Sequence, residues 1–311
     1  MKRRTYIKFL TFIFLFFALG GCKLPPSYQS KELLTNELYV VKVNDKYGVI
    51  DLNEVVVVPI AFSGIYYSPE LDLIEARSGK YHDENYGLFD KNGKRIMTVM
   101  YQRLEGYTYE TDTVIIASNI GHEKKNLALY NKRGKQISKN YSSIWGLSEG
   151  LFVAQNEYGD ARNFHLKAGY IDTKGNEVIP AILEWALPFE YGLAAVRYDG
   201  YFGFIDRSGK EVIPFIFDRA ESFHHPLYFS SIFSFPLNDD ELLAAVCFNR
   251  KWGFINKKGE QVIPFKYDKI GKRFLNSKVQ VQIKAERFFI DTNGQRVISN
   301  DNFGSHNLIN D

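Results

Sequence analysis

The sequence predicts an all-β fold of tandem β-repeats, and three observations carry that reading. A strand–turn–strand signature, clearest at residues 251–268, recurs seven times along the chain. The 20 Tyr and 25 Phe favour strands over helices. An apolar share of 45% in 311 residues is ample for a packed core and too high for a disordered chain.

The first element is a leader. Residues 1–8 carry Lys2, Arg3, Arg4 and Lys8 with no acid, and residues 9–19 are a mostly apolar run. That run suits a signal sequence and falls short of the ~20 residues that span a bilayer. Leu19-Gly20-Gly21-Cys22 follows and resembles the bacterial lipobox. Small residues there let a peptidase approach the backbone, and the Cys22 thiol can take a diacylglycerol as a thioether. Residues 1–21 are therefore expected to be a lipoprotein signal peptide. Cys22 is the expected lipidation site, and several acyl chains together give a stable membrane anchor. Without the four leader cations the formal charge falls from +3 to −1, so no nucleic-acid footprint is expected. With Cys22 acylated, Cys247 has no partner and no disulfide framework is expected. Residues 22–37 contain Pro25-Pro26 and read as a lipidated tether, with a turn of helix at 31–36.

The repeats occupy 38–303. Aligned on the turn, equivalent positions fall at Glu54, Gly93, Gly134, Gly175, Gly209, Gly259 and Gly294. Each lies three residues after an Asp or Asn. Such a side chain bonds its own backbone two residues on, and Gly supplies the positive φ of a short bulged hairpin. Before each turn lie two strands. The first alternates, most cleanly at residues 279–283. The second reads aromatic-Gly-apolar-apolar-Asp, with Tyr47, Tyr86, Phe202 and Trp252 as its aromatics. Ala168 stands at that place in the fourth copy, and the third and seventh copies lack the Gly. A Gly inside a strand marks a kink or a close backbone approach. After the turn comes Val-Ile-Pro or a relative of it, with Pro59, Pro180, Pro214 and Pro264. Pro has no N–H, so it belongs on an edge or at a strand end, with the residues beyond it free to form an outer fourth strand.

These units resemble the bacterial WG-repeat family, most closely at residues 251–268 and 202–218. The resemblance implies a repeated β module of exported proteins, generally without assigned chemistry. A three-strand unit cannot bury its apolar face alone, so copies must stack. The repeat region averages 38 residues per copy, near the ~40 of a propeller blade. A seven-bladed β-propeller is the predicted architecture, with an open β-solenoid of stacked hairpins as the alternative. Residues 304–311 are a polar tail expected to fray.

No catalytic or metal motif stands out. The chain has no Gly-x-Ser-x-Gly, no His-Glu-x-x-His and no phosphate-cradling loop. His224 and His225 are adjacent and would point to opposite faces of a strand, a poor chelate. The repeated Asp residues read as turn caps, since calcium needs several oxygens from one loop. Cys247 lies in an apolar run and reads as a buried small hydrophobe. The expectation is therefore no enzyme, no metal and no cofactor.

The longest interval between turns holds an aromatic-rich insertion with Phe223, His224, Tyr228, Phe229, Phe233 and Phe235. Insertions in repeat proteins map to loops, often on the binding face. The sequence thus points to a membrane-anchored scaffold at the bacterial cell envelope, outside the cytoplasm, with a protein partner on that loop. One alternative is an envelope glycan binder that stacks sugars on the repeat aromatics. A second is a hydrolase with dispersed carboxylates.

Overall fold

The structure, a computed structural model, describes residues 28–80, 84–119, 126–158, 165–224, 241–271, 273–275 and 277–298. The leader with Cys22, the loop aromatics Tyr228, Phe229, Phe233 and Phe235, and the tail lie outside these residues. Within them the fold is all-β, with no α-helix and with every strand in an antiparallel sheet. The all-β expectation holds. The turn of helix expected at 31–36 does not, because Ser30–Thr35 is the first strand of the first sheet, taken out of the expected tether.

The chain divides into two compact units, one ending at Asn140 and the other starting at Tyr141. The first unit holds a four-stranded sheet, repeat one, and a six-stranded sheet that repeats two and three share. One long strand, Arg95–Tyr109, closes repeat two and opens repeat three. The second unit holds four four-stranded sheets, one for each repeat from four to seven.

Repeat five shows the pattern, with strands Trp185–Ala186, Leu193–Tyr198, Tyr201–Asp206 and Glu211–Phe217 in spatial order. The expected first two strands of each unit are therefore its second and third. The outermost strand runs straight through Pro214 and continues to Phe217, so the residues beyond Pro are not a separate strand. The extra strand is the two-residue piece at the other side of the sheet. Pro214 sits in the edge strand, where its missing N–H breaks no ladder.

All seven aligned turn positions have positive φ, including the non-Gly Glu54 at 62°. In each, the backbone N–H of the turn residue donates to the carbonyl of the Asp or Asn three residues earlier, at 2.8–3.1 Å. The side chain completes the turn. Asp206 Oδ1 accepts from the N–H of Ser208 at 2.9 Å and of Lys210 at 3.0 Å. Asp51, Asp90, Asn131, Asp172, Asn256 and Asp291 do the same. The Ser208 hydroxyl and these N–H donors hold the Asp206 carboxyl below its usual range.

The Gly of the third strand has a steric cause. In repeat six Trp252 pairs with Tyr267 and Phe254 with Ile263, so the outer strand carries a bulge opposite Gly253. A Cβ on Gly253 would lie 2.5 Å from the Ile263 carbonyl oxygen and 2.5 Å from Phe265 Cδ1. The ring lying over this Gly comes from the bulged strand and is not the aromatic that precedes the Gly. The same bulge faces Gly48, Gly87, Gly169 and Gly203. Repeats three and seven carry Ala128 and Phe288 at that place, and repeat three has no bulged outer strand among the described residues. Repeat three keeps only a bridge between Tyr130 and Gln136, with Ser138 Oγ accepting from the Leu129 N–H at 2.8 Å. Repeat seven keeps the two-residue strand Arg296–Val297.

The sheets of repeats four to six are apolar on both faces. Residues 193–196 are all buried, yet they alternate in direction. Ala194 and Val196 enter the core shared with repeat four, while Leu193 and Ala195 enter the core shared with repeat six. Repeats six and seven share the next core, around Trp252, Phe254, Tyr267 and Cys247. In the first unit, repeats one and two share a core, as do two and three. The turns add to this stacking, since Gly259 rests on Ile213 of the preceding repeat.

Gly253→Ala is expected to lower stability by about 1–3 kcal/mol, because the neighbouring backbone must move. Gly200→Ala meets open space and pays only for its φ of +83°, about 1 kcal/mol. Urea unfolding of the two variants checks the order, and equal losses would contradict the bulge argument.

Candidate functional site

The Asp-capped turns join the third strand of each sheet to the fourth. The turns joining the first strand region to the second lie at the same end, since Leu193 pairs with Asp206 and Leu151 with Asp172, and they differ from copy to copy. Repeat five closes this first turn with a backbone bridge between Glu190 and Leu193. Tyr191 and Gly192, with φ of 55° and 80°, form the whole turn between them. Two successive positive φ values give the tight turn that matches strand twist. Repeat four has the same geometry, with Ser148 paired to Leu151 across Glu149 and Gly150. Repeat seven pairs Leu275 with Lys278. Repeat six makes the equivalent bridge between His224 and Leu243, with N–H···O distances of 3.0 and 3.1 Å. There the chain between the paired residues is 225–242. The long interval in the sequence is thus an insertion into what is a two-residue turn elsewhere.

Beneath these turns lies a repeated aromatic pair. Tyr170 meets Phe189 at 4.7 Å between ring centroids, Phe204 meets Phe223 at 4.9 Å, and Phe254 meets Phe274 at 4.8 Å. The geometry is tilted, as ring quadrupoles favour. Phe223, expected in the interaction loop, is fully buried and belongs to this floor. Tyr170 donates to the Leu187 carbonyl at 2.6 Å, and burial pushes its phenol far above the ordinary range.

Above the floor, polar side chains stitch one turn to the next. Ser148 Oγ donates to the Phe189 carbonyl at 2.5 Å. The Glu149 carboxylate accepts from the Gly192 N–H, at 2.9 Å on one oxygen and 3.2 Å on the other. His224 Nδ1 lies 3.1 Å from Glu190 Oε2. These turns border an open cavity of about 440 Å³ lined by Ser148, Glu149, Glu190, Tyr191, His224, Arg273 and Phe274. That volume lies within the range of small-ligand sites. The donor set is mixed: two carboxylates, an imidazole, a guanidinium and two aromatic rings. Among the described residues no three His, Cys, Asp or Glu side chains are placed to hold a metal ion.

Of the residues singled out in the sequence, the structure brings only His224 to this cavity. The repeat aromatics do not form a stacking platform. Trp252 is 1% exposed, inside the core between repeats six and seven. Phe202 packs partly buried against the core between repeats five and six. Tyr47 lies opposite Phe62, and Tyr86 lies opposite Tyr101 with Arg77 over its ring. Cys247 is buried, as its apolar run suggested. Sequence reasoning missed Ser148, Glu149, Glu190, Tyr191, Arg273 and Phe274. The available signal was positional: 148–150 and 190–192 immediately precede Leu151 and Leu193, which open equivalent strands.

Among known proteins, the family model described as the WG containing repeat matches residues 169–202, 202–229 and 252–284. No curated protein matches the chain. Among solved structures, the acylaminoacyl peptidase of Pyrococcus horikoshii is 9% identical, with a TM-score of 0.33, over 88% of this chain and 52% of its own. The tricorn protease is 12% identical, with a TM-score of 0.23, over 90% of this chain and 36% of its own. The extracellular domain of a protein described as a hybrid two component system from B. thetaiotaomicron is 11% identical, with a TM-score of 0.26, over 89% and 39%. This chain spans about half or less of each of the three, and the likenesses are too distant to transfer an activity.

Phe223→Ala is expected to cost about 3–5 kcal/mol, the loss of a large core aromatic. His224→Ala is expected to cost less than about 1 kcal/mol, the value of a partly exposed pair. Denaturant unfolding compares the two, and the reverse order would return Phe223 to the loop.

Proposed function

Because this chain is a WG-repeat protein, we propose that it is a lipid-anchored, non-catalytic binding module of the bacterial cell envelope. It is exposed outside the cytoplasm and takes a protein partner at the variable first turns of repeats four to seven. One observation carries this reading. In the turn between the third and fourth strands the residues are fixed by the fold, an Asp or Asn cap and a positive-φ position. In the turns between the first and second strands, at the same end of the sheet, stand the side chains of Ser148, Glu149, Glu190, Tyr191 and His224, which cap no turn of their own. Side chains that the fold leaves free to vary, gathered around one cavity, are the material of recognition. The insertion between His224 and Leu243 begins beside His224, which lines the same cavity, and its sequence is rich in aromatic residues. The anchor rests on the leader and on Cys22 following Leu19-Gly20-Gly21.

A second reading has one observation behind it. Glu149 and Glu190 line a common cavity, and two carboxylates facing one space are the minimal apparatus of a hydrolase. Both are already engaged, Glu149 with a backbone N–H and Glu190 with His224, which favours a structural and binding role. The glycan reading loses its support with the burial of Trp252.

Two experiments test the proposal. Cys22→Ser is expected to move the protein from the membrane fraction to the soluble fraction, and persistence in the membrane would refute the acyl anchor. Cross-linking in cells is expected to give a partner adduct that Glu149→Lys abolishes and Asp199→Lys, at an exposed turn at the opposite end of the sheet, leaves intact. Equal effects of the two reversals would remove the first turns from the account.

A further inference from the structure

The cavity at the first turns holds opposite charges that do not pair with one another. Glu149 directs both oxygens to the Gly192 N–H. Glu190 Oε2 meets His224 Nδ1. Arg273 lines the same cavity, is exposed, and makes no ion pair or hydrogen bond among the described residues. A guanidinium and two carboxylates sharing one cavity attract each other unless the scaffold holds them apart. Here each carboxylate is tied to a neighbouring turn, and Arg273 stands on the next repeat beside the buried Phe274. The two carboxylates are thus fixed across the site, with the Arg273 guanidinium unpaired among the described residues.

That arrangement selects its ligand by charge. A simple anion drawn to Arg273 would meet Glu149 and Glu190. A simple cation drawn to the carboxylates would meet Arg273. A molecule carrying both signs a few bonds apart satisfies all of them. We propose that the cavity takes a short zwitterionic peptide, with its carboxylate on Arg273 and its ammonium on Glu190. The planar guanidinium offers two parallel N–H donors that match a carboxylate. Glu190 retains Oε1 as an acceptor beyond its contact with His224. Tyr191 and Phe274 supply the apolar wall for the peptide's side chains, and about 440 Å³ accommodates a dipeptide. The inference rests on reading the first turns as the recognition site, and it adds the chemistry of the ligand.

Isothermal titration of the full chain in detergent with alanyl-alanine tests it. Binding is expected, and N-acetylation or C-amidation of the dipeptide is expected to weaken it by about tenfold each, the loss of one charged contact. Arg273→Gln is expected to erase the difference between the dipeptide and its amide while leaving the effect of acetylation. Glu190→Gln is expected to do the converse. Arg273 has no partner to lose, so an unchanged melting temperature serves as the folding control. No binding at millimolar peptide, or equal binding of the capped forms, overturns the proposal. Peptide binding with no protein adduct in cells would sink the partner reading alone, and an adduct with no peptide binding would sink this one alone.

Discussion

The fold depends on one constraint: the middle sheets of the second unit are apolar on both faces, so none of them is complete without neighbours. Residues 193–196 make this plain, because four consecutive buried residues divide two and two between different cores. Fully burying one medium-sized apolar side chain stabilises a fold by roughly 1.5–3 kcal/mol. Such a sheet left alone would forfeit that on two sides at once. Stacking is therefore the condition of folding, and the shared cores of each unit follow from it.

Within a sheet, two local devices make the stacking uniform. The Asp or Asn cap satisfies two backbone donors of the turn and sets the register of the outer strand. The Gly opposite the bulge lets that strand come within Cβ-excluding distance of its neighbour. The bulge in turn bends the outer strand and carries an aromatic ring back over the Gly, as Phe265 does over Gly253. The outer strand is bulged and long where the Gly is present. In repeat three, where Ala128 replaces it, only a bridge between Tyr130 and Gln136 stands at that place among the described residues.

The two kinds of turn at this end of each sheet consequently differ in freedom. The capped turn is dictated by backbone geometry, and its side chain is occupied with its own turn. In the turn between the first and second strands the backbone bridge is all the fold needs, and the chain between the bridged residues ranges from Tyr191-Gly192 to residues 225–242. A repeat protein can place chemistry there without disturbing its cores. The Ser148, Glu149 and Glu190 contacts use this freedom to tie consecutive repeats together across the floor of paired aromatic rings.

The signals of the repeat are local, and for that reason the sequence by itself determined the all-β class, the seven copies and all seven left-handed turn positions. A cap, a Gly and a period-2 pattern act over a few residues and can be read without knowing what lies nearby. Sequence also fixed Cys247 as buried. It misjudged Phe223, because an aromatic side chain looks the same whether it meets solvent or a neighbouring sheet. Only the tertiary structure decided that, since burial depends on what the next repeat presents. It alone gathered Glu149, Glu190, His224 and Arg273, which stand on four different repeats. Their proximity arises from stacking, a relation between distant segments that no local pattern encodes.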